Sequence, residues 1–198
     1  MKLNRSLQLL VLAVCASGIP ALADDKKSSS PDEKKMMEKM MQAGTPGAAH
    51  RKLDPLVGKF SVKSKMWMDP SKPPHESSGT AERAWIMGNR YLEERFQGEH
   101  EGQPFTGVGT FGYDNVTKKY FGTWLDSMST GMATMKGTLS GDTLKYTGMM
   151  SDPMAGKEVP YTMNFKIVNN DTQTMEMWCA GPDGKQMKSM EMTYTRIK

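Results

Sequence analysis

FTGVGTFGYDNVTKKYFGTWLDSMSTGMATMKGTLSGDTLK, residues Phe105 to Lys145, is the stretch whose reading decides the fold. Three turn clusters punctuate it: Tyr113-Asp-Asn-Val-Thr-Lys118, Ser127-Met-Ser-Thr-Gly131 and Leu139-Ser-Gly-Asp142. Each separates runs of aromatic, Thr and Val residues that favour a pleated surface, so consecutive β-hairpins follow. The same spacing continues on both sides. Strands are expected at His75 to Ile86, Tyr91 to Gly98, Phe105 to Tyr113, Lys119 to Asp126, Met132 to Leu139, Thr143 to Met150, Val159 to Val168, Gln173 to Cys179 and Gln186 to Ile197.

The first strand of the set carries the clearest alternation. Phe60, Val62, Ser64, Met66 and Met68 share one face, and Lys59, Ser61, Lys63 and Lys65 the other, the period-two pattern of a half-buried strand. A helical turn, His50-Arg-Lys-Leu-Asp-Pro-Leu-Val-Gly58, leads into it with Leu53, Leu56 and Val57 turned inward. Ten strands with short links and no long helix between them predict an all-β, antiparallel up-and-down barrel, since closure removes the exposed edges of a meander. A ten-stranded barrel has room for a small guest unless large side chains fill it.

Composition fits one domain. The chain has 198 residues, 24% charged and 37% hydrophobic, with 19 glycines spread at turn-like spacing. Its net charge of +4 includes Lys2 and Arg5, and such weak basicity does not point to nucleic acid. Residues 1–23 have the parts of a secretory leader: Lys2 and Arg5, the apolar run Leu7 to Val14, and Ala21-Leu-Ala23 before Asp24. Cleavage after Ala23 and a periplasmic or secreted protein are expected. The apolar run is too short for a bilayer core of roughly 30 Å, so no transmembrane anchor is predicted. Loss of Cys15 leaves Cys179 alone and excludes an internal disulfide.

Residues 24–47 form a Lys- and Ser-rich linker in which DEKKMMEKMMQ, residues 32–42, has the composition of a short helix. Met36, Met37, Met40 and Met41 fall on one face of it. Thioethers select soft ions such as Cu(I), whereas a Met-rich face equally suits a frayed amphipathic helix resting on the domain or on a membrane surface. The domain itself spans residues 48–198.

Inside the barrel, Tyr161, Met163, Phe165 and Ile167 share a face, as do Met175, Met177 and Cys179, and likewise Met190, Met192, Tyr194 and Arg196. Phe105 to Tyr113 and Lys119 to Asp126 alternate too weakly for their faces to be assigned. Glu94 points inward with Leu92 and Phe96, and a carboxylate in a barrel needs either a cationic partner or a ligand. Asp126 beside Trp124 poses the same choice. The candidate ligand-binding residues are thus Phe60, Met66, Glu94, Phe96, Trp124 and Asp126 from the first half of the chain. Met163, Met177, Met190, Met192, Tyr194 and Arg196 complete the set from the second half. Unbranched, polarizable methionines adapt to guests of different shape, so a small, mainly apolar ligand is expected.

Catalytic motifs are missing. There is no Gly-x-Ser-x-Gly elbow, no Ser-x-x-Lys, no His-Glu-x-x-His and no Cys-x-x-Cys. His50, His75 and His100 stand apart and are expected to be an exposed, unrelated trio, with a haem ligand among them as the other reading. Cys179 is expected to be shielded and unreactive. No cofactor and no metal set is predicted, and the balance favours a binding protein over an enzyme. A second class of function is a methionine-based metal or oxidant buffer of the cell envelope, because sulfoxide formation is reversible.

Gly58-Lys-Phe60 at the start of the first strand and Arg196 at the end of the last resemble the calycin pattern of lipocalins and fatty-acid-binding proteins, in which Gly-x-Trp meets an arginine across the barrel floor. Phe60 stands where Trp is usual. The motifs LVGKF, KMWMDPSKPPHESSGTAERAWIMGNRYLEE, GQPFTGVGTFGYDN, KYFGTWLDSMSTG and GPDGKQMKSMEMTYTR together resemble a bacterial family, domain of unknown function 1579, from about His50 to Arg196. That resemblance implies a calycin-like barrel and no particular activity. It also implies that Arg196 lies across the Phe60 ring where the first and last strands meet.

Overall fold

The computed structural model describes residues 30–181 and 183–198. The leader read over residues 1–23, and the tail as far as residue 29, lie outside the described residues. Helix α1 (Pro31–Gly44) and the single turn α2 (Ala48–Arg51) precede a 3-10 turn, Asp54–Leu56. Ten strands follow: β1 (Gly58–Met66), β2 (His75–Ile86), β3 (Tyr91–His100), β4 (Gln103–Asp114), β5 (Lys119–Asp126), β6 (Ala133–Ser140), β7 (Thr143–Asp152), β8 (Lys157–Ile167), β9 (Thr172–Ala180) and β10 (Gln186–Arg196). Each pairs antiparallel with its neighbours in sequence, and β1 also pairs with β10, so the sheet closes on itself.

The links are as short as the turn chemistry allows. Glu101 and Gly102 both take positive φ, 51° and 76°, in the two-residue link between His100 and Gln103. That conformation matches the twist of the flanking strands and is inexpensive where a glycine supplies half of it.

Cross-strand pairing settles the faces of β4 and β5 that alternation left open. Phe111 pairs with Leu92 and Gly122, Gly109 with Glu94 and Trp124, and Gly107 with Phe96 and Asp126, which puts all of them inside. Alternation is weak there because glycines occupy inward positions. They are needed: a Cβ on Gly107 would fall within the Trp124 indole, and one on Gly122 would come within 2.8 Å of the Phe111 ring. Large rings and glycines thus face each other across neighbouring strands, so the rings lie along the wall.

The lower end of the barrel is plugged. Leu53 and Leu56 pack there with Phe60, Leu92 and Leu144, all buried. Four side chains from the barrel stitch the plug down: Trp85 Nε1 donates to Asp54 Oδ1 at 3.0 Å, Tyr120 Oη to the Ala49 carbonyl at 3.0 Å, Gln173 Nε2 to the Pro55 carbonyl at 2.8 Å, and Arg196 Nη2 to the same carbonyl at 2.8 Å.

Three expectations are corrected. His50 is not exposed but 4% accessible, with Nδ1 accepting the Gly47 N–H at 3.0 Å and its ring edge-on to Tyr113. It closes the α2 turn, a local role that isolation in sequence does not reveal. Met68 lies past the end of β1 and is exposed, because pairing stops at Met66. The Met face of α1 does not rest on the domain: the helix has no buried residue, and Met36, Met37, Met40 and Met41 all face solvent. What holds α1 is its C-terminal end, where Asn115 Nδ2 donates to the carbonyls of Gln42, Ala43 and Thr45.

Candidate functional site: a cup with a polar floor

Register and burial together divide the barrel interior into two halves. In the lower half Phe60, Leu92, Leu144, Tyr146, Phe165 and Tyr194 are buried, while Trp85, Phe111, Tyr113, Leu139 and Ile167 at its edge are partly buried. In the upper half Met66, Phe105, Trp124, Met150, Met177 and Met190 are inward by register yet only partly buried, as are Met192 and Cys179. The upper end is therefore a mouth, with rings on one side and thioethers on the other. Phe96 stands edge-on to Phe105 at 5.7 Å and to Trp124 at 6.4 Å between centroids. Opposite, Met66, Met190, Met177 and Met163 are successive cross-strand partners over β1, β10, β9 and β8. Asp126 belongs to the rim: its carboxylate accepts the Trp124 Nε1–H at 3.1 Å and the Met128 N–H at 3.0 Å, which fixes the indole and the turn that follows.

Beneath the mouth lies a charged pair. Glu94, 3% accessible, faces Arg83, 2% accessible, and Arg83 Nε donates to Glu94 Oε2 at 2.6 Å. Arg83 Nη1 donates to Gln173 Oε1 at 2.7 Å, and Gln173 is tied to the plug through Pro55. Three rings surround the guanidinium, with Cζ at 4.4 Å from the Tyr194 centroid, 5.2 Å from Phe165 and 5.3 Å from Phe60. Such a network is expected for charge kept from water, where pairing and ring faces replace hydration. The surroundings are apolar enough to hold phenols neutral: burial raises the pKa of Tyr146 and Tyr194, and pushes that of Tyr161 up to about 12.

The structure thus brings Phe96, Met163, Glu94 and Tyr194 together in the middle of the barrel and puts Met66, Trp124, Asp126, Met177, Met190 and Met192 around the mouth above them. Phe60 and Arg196 are elsewhere, in the sealed floor. Arg196 Cζ sits 4.6 Å from the Phe60 centroid across the β1–β10 pairing, while its Nη1, Nη2 and Nε donate to the carbonyls of Val57, Pro55 and Asn170. Sequence reasoning did not single out Arg83, Gln173 or Phe105. A signal for two of them was present, since Ala81-x-Arg83-x-Trp85 and Gln173-x-Met175-x-Met177 keep period two with neighbours that face in.

Among the described residues, no group of three or more His, Cys, Asp and Glu is placed to hold a metal ion. An open groove of about 800 Å³ runs over β5 to β9 with Phe121, Met149, Pro160 and Trp178 in its walls. Those side chains alternate with inward ones, of which Met135, Tyr161 and Cys179 also line the groove.

The sequence matches the model of the family described as "Protein of unknown function (DUF1579)" over residues 45–196. The chain belongs to that family. Among curated proteins, none matches it. Of solved structures, Rv2717c from M. tuberculosis is similar at a TM-score of 0.59 and 14% identity, over 78% of this chain and 100% of that one. The S-type phycobiliprotein lyase CPES from Guillardia theta gives 0.49 and 10%, over 77% and 99%, and a de novo designed fluorescence-activating β-barrel gives 0.42 and 15%, over 77% and 100%. At 14% identity the likeness to Rv2717c extends to the barrel fold, which in this DUF1579 member is closed by the β1–β10 pairing and plugged from below.

Proposed function

We propose that this DUF1579 protein is an exported, non-enzymatic barrel that holds a small, mainly apolar ligand in its cup. The observation that carries the reading is the partial burial of large inward side chains, Phe105, Trp124, Met177 and Met190, above a sealed floor. Apolar side chains that face a barrel axis and still touch solvent have an unfilled partner surface, and concave apolar sites with a few polar groups are where small molecules bind. Glycines opposite the rings allow the aromatic wall to lie flat, and the methionine wall adapts to the guest.

The test is native mass spectrometry of gently purified protein, followed by displacement of a fluorescent lipid. A co-purifying small molecule, or probe binding that Trp124→Ala weakens about tenfold, is the expected result. No adduct and no probe binding would remove the reading. Export is tested separately, by fractionating cells and sequencing the N-terminus of the mature chain, which should begin at Asp24.

One observation favours a second reading, an oxidant buffer. Met36, Met37, Met40, Met41, Met68, Met87, Met128 and Met154 are each more than half exposed and open to oxidation. Peptide mapping after mild peroxide should then find sulfoxide at these positions first, with the barrel still folded.

A further inference from the structure

The charged pair under the cup has an unused donor. Among the described residues, two buried side-chain polar atoms lack a hydrogen-bond partner, Arg83 Nη2 and the Tyr146 hydroxyl. Both side chains are inward, Arg83 from β2 and Tyr146 from β7, where it pairs with Gly137 and Met163. A buried guanidinium N–H without an acceptor is costly, and native structures leave few such groups. Glu94 and Gln173 hold two of its nitrogens, Tyr194, Phe165 and Phe60 surround its plane, and the Tyr194 hydroxyl, near enough for Arg83 to oppose the burial that raises its pKa, makes no hydrogen bond with Nη2.

We infer that the ligand of the cup carries an uncharged oxygen acceptor, a carbonyl, ester or hydroxyl on an otherwise apolar body, and that Arg83 Nη2 is the group that binds it. This rests on the cup being the ligand site and goes further by naming the chemistry of the ligand's inner end. The charge balance selects a neutral oxygen. Glu94 already neutralises Arg83; Gln173 and Tyr194 beside them add no cation, and Arg196, on the same Phe60 ring, is paired with Asp171. A carboxylate entering there would be an unpaired anion in an apolar interior, whereas a carbonyl completes the third nitrogen without adding charge. A pure hydrocarbon would leave Nη2 as it is. Discrimination is therefore expected on the oxygen, as in sites built to pair a polar group that reject analogues lacking it.

Three pyrene probes with the same alkyl chain test this by fluorescence titration of the full mature chain: the hydrocarbon, the methyl ester and the carboxylate at neutral pH. The ester should bind about tenfold more tightly than the hydrocarbon, and the carboxylate no more tightly than the hydrocarbon. In the charge-neutral double variant Arg83→Met with Glu94→Gln, and in Arg83→Lys, the ratio of ester to hydrocarbon affinity should fall to about twofold or less. Equal binding of ester and hydrocarbon by the unaltered protein overturns the inference and leaves the cup reading intact, and a preference for the carboxylate overturns it too. A ratio that survives both variants places the oxygen elsewhere and also overturns the assignment to Arg83. Failure of all three probes to bind removes the cup reading itself. The probe series on the unaltered protein decides the matter even if neither variant folds.

Discussion

Removing Arg83 alone should cost more than removing its charge together with that of Glu94. Arg83→Ala leaves Glu94 as an uncompensated carboxylate at 3% exposure, and should cost about 3 to 5 kcal/mol in urea unfolding. Arg83→Met with Glu94→Gln removes both charges and should cost clearly less than the single change. His50 makes a pH-dependent contribution. Burial lowers its pKa, outweighing the opposing pull of the Tyr113 backbone, and its Nδ1 must stay unprotonated to accept from Gly47. Between the depressed native value and the ordinary value of about 6.5, the unfolded chain binds more protons than the folded one. The contribution is thus present above about 6.5 and is lost as pH falls toward the native value. Unfolding free energy measured against pH should show this slope, and His50→Asn, which keeps an acceptor for Gly47, should flatten it.

At the level of elements, the pairing of rings with glycines shapes the aromatic side of the cup. Gly107→Ala would place a methyl group inside the Trp124 indole, with Asp126 holding that ring from the other end. The expected cost is about 1 to 3 kcal/mol, the range for overpacking, together with a changed Trp signal in near-ultraviolet circular dichroism. Helix α1 is the contrary case. Ser30 and Glu33 form a capping box at its start, yet the helix buries nothing, and among the described residues its side-chain hydrogen bonds to the barrel come from Asn115. Deleting residues 24–44 should change unfolding free energy by less than about 0.5 kcal/mol, the usual effect of surface changes. Whatever α1 does, it does outside the barrel.

For the molecule as a whole, closure depends on the contact of the first strand with the last. Arg196 joins β1, β10, the plug and the link after β8 through three donated hydrogen bonds and the Phe60 ring. Each charge-assisted bond contributes about 1.5 to 3 kcal/mol and their effects overlap, so Arg196→Ala should cost about 3 kcal/mol or more. Arg196→Lys should recover only part of this, because one ammonium cannot reach the carbonyls of Val57, Pro55 and Asn170 while stacking on a ring. A double-mutant cycle with Phe60→Leu should show coupling of about 0.5 to 2 kcal/mol, and additive effects would contradict the stacked geometry.

Much of this was legible in the residues alone. Whereas the Phe60–Arg196 meeting was implied by the resemblance to the calycin pattern, period two with lysines outward placed the inner face of β1 and turn clusters placed the hairpins. These are local signals, carried by alternation over a few residues or by turn chemistry, and they survive whatever the rest of the chain does. The inner faces of β4 and β5 were not legible, because glycines at 107, 109 and 122 erase the alternation that their cross-strand partners restore. Nor was the partner of Glu94. Period two states which side of a sheet a residue occupies and says nothing about which residue it meets there. Arg83 and Gln173 are 90 positions apart and lie on β2 and β9, and only closing the barrel brings them to 2.7 Å. Closure also decided where the plug sits, because only the closed barrel brings Trp85, Tyr120, Gln173 and Arg196 together around the turns that carry Leu53 and Leu56.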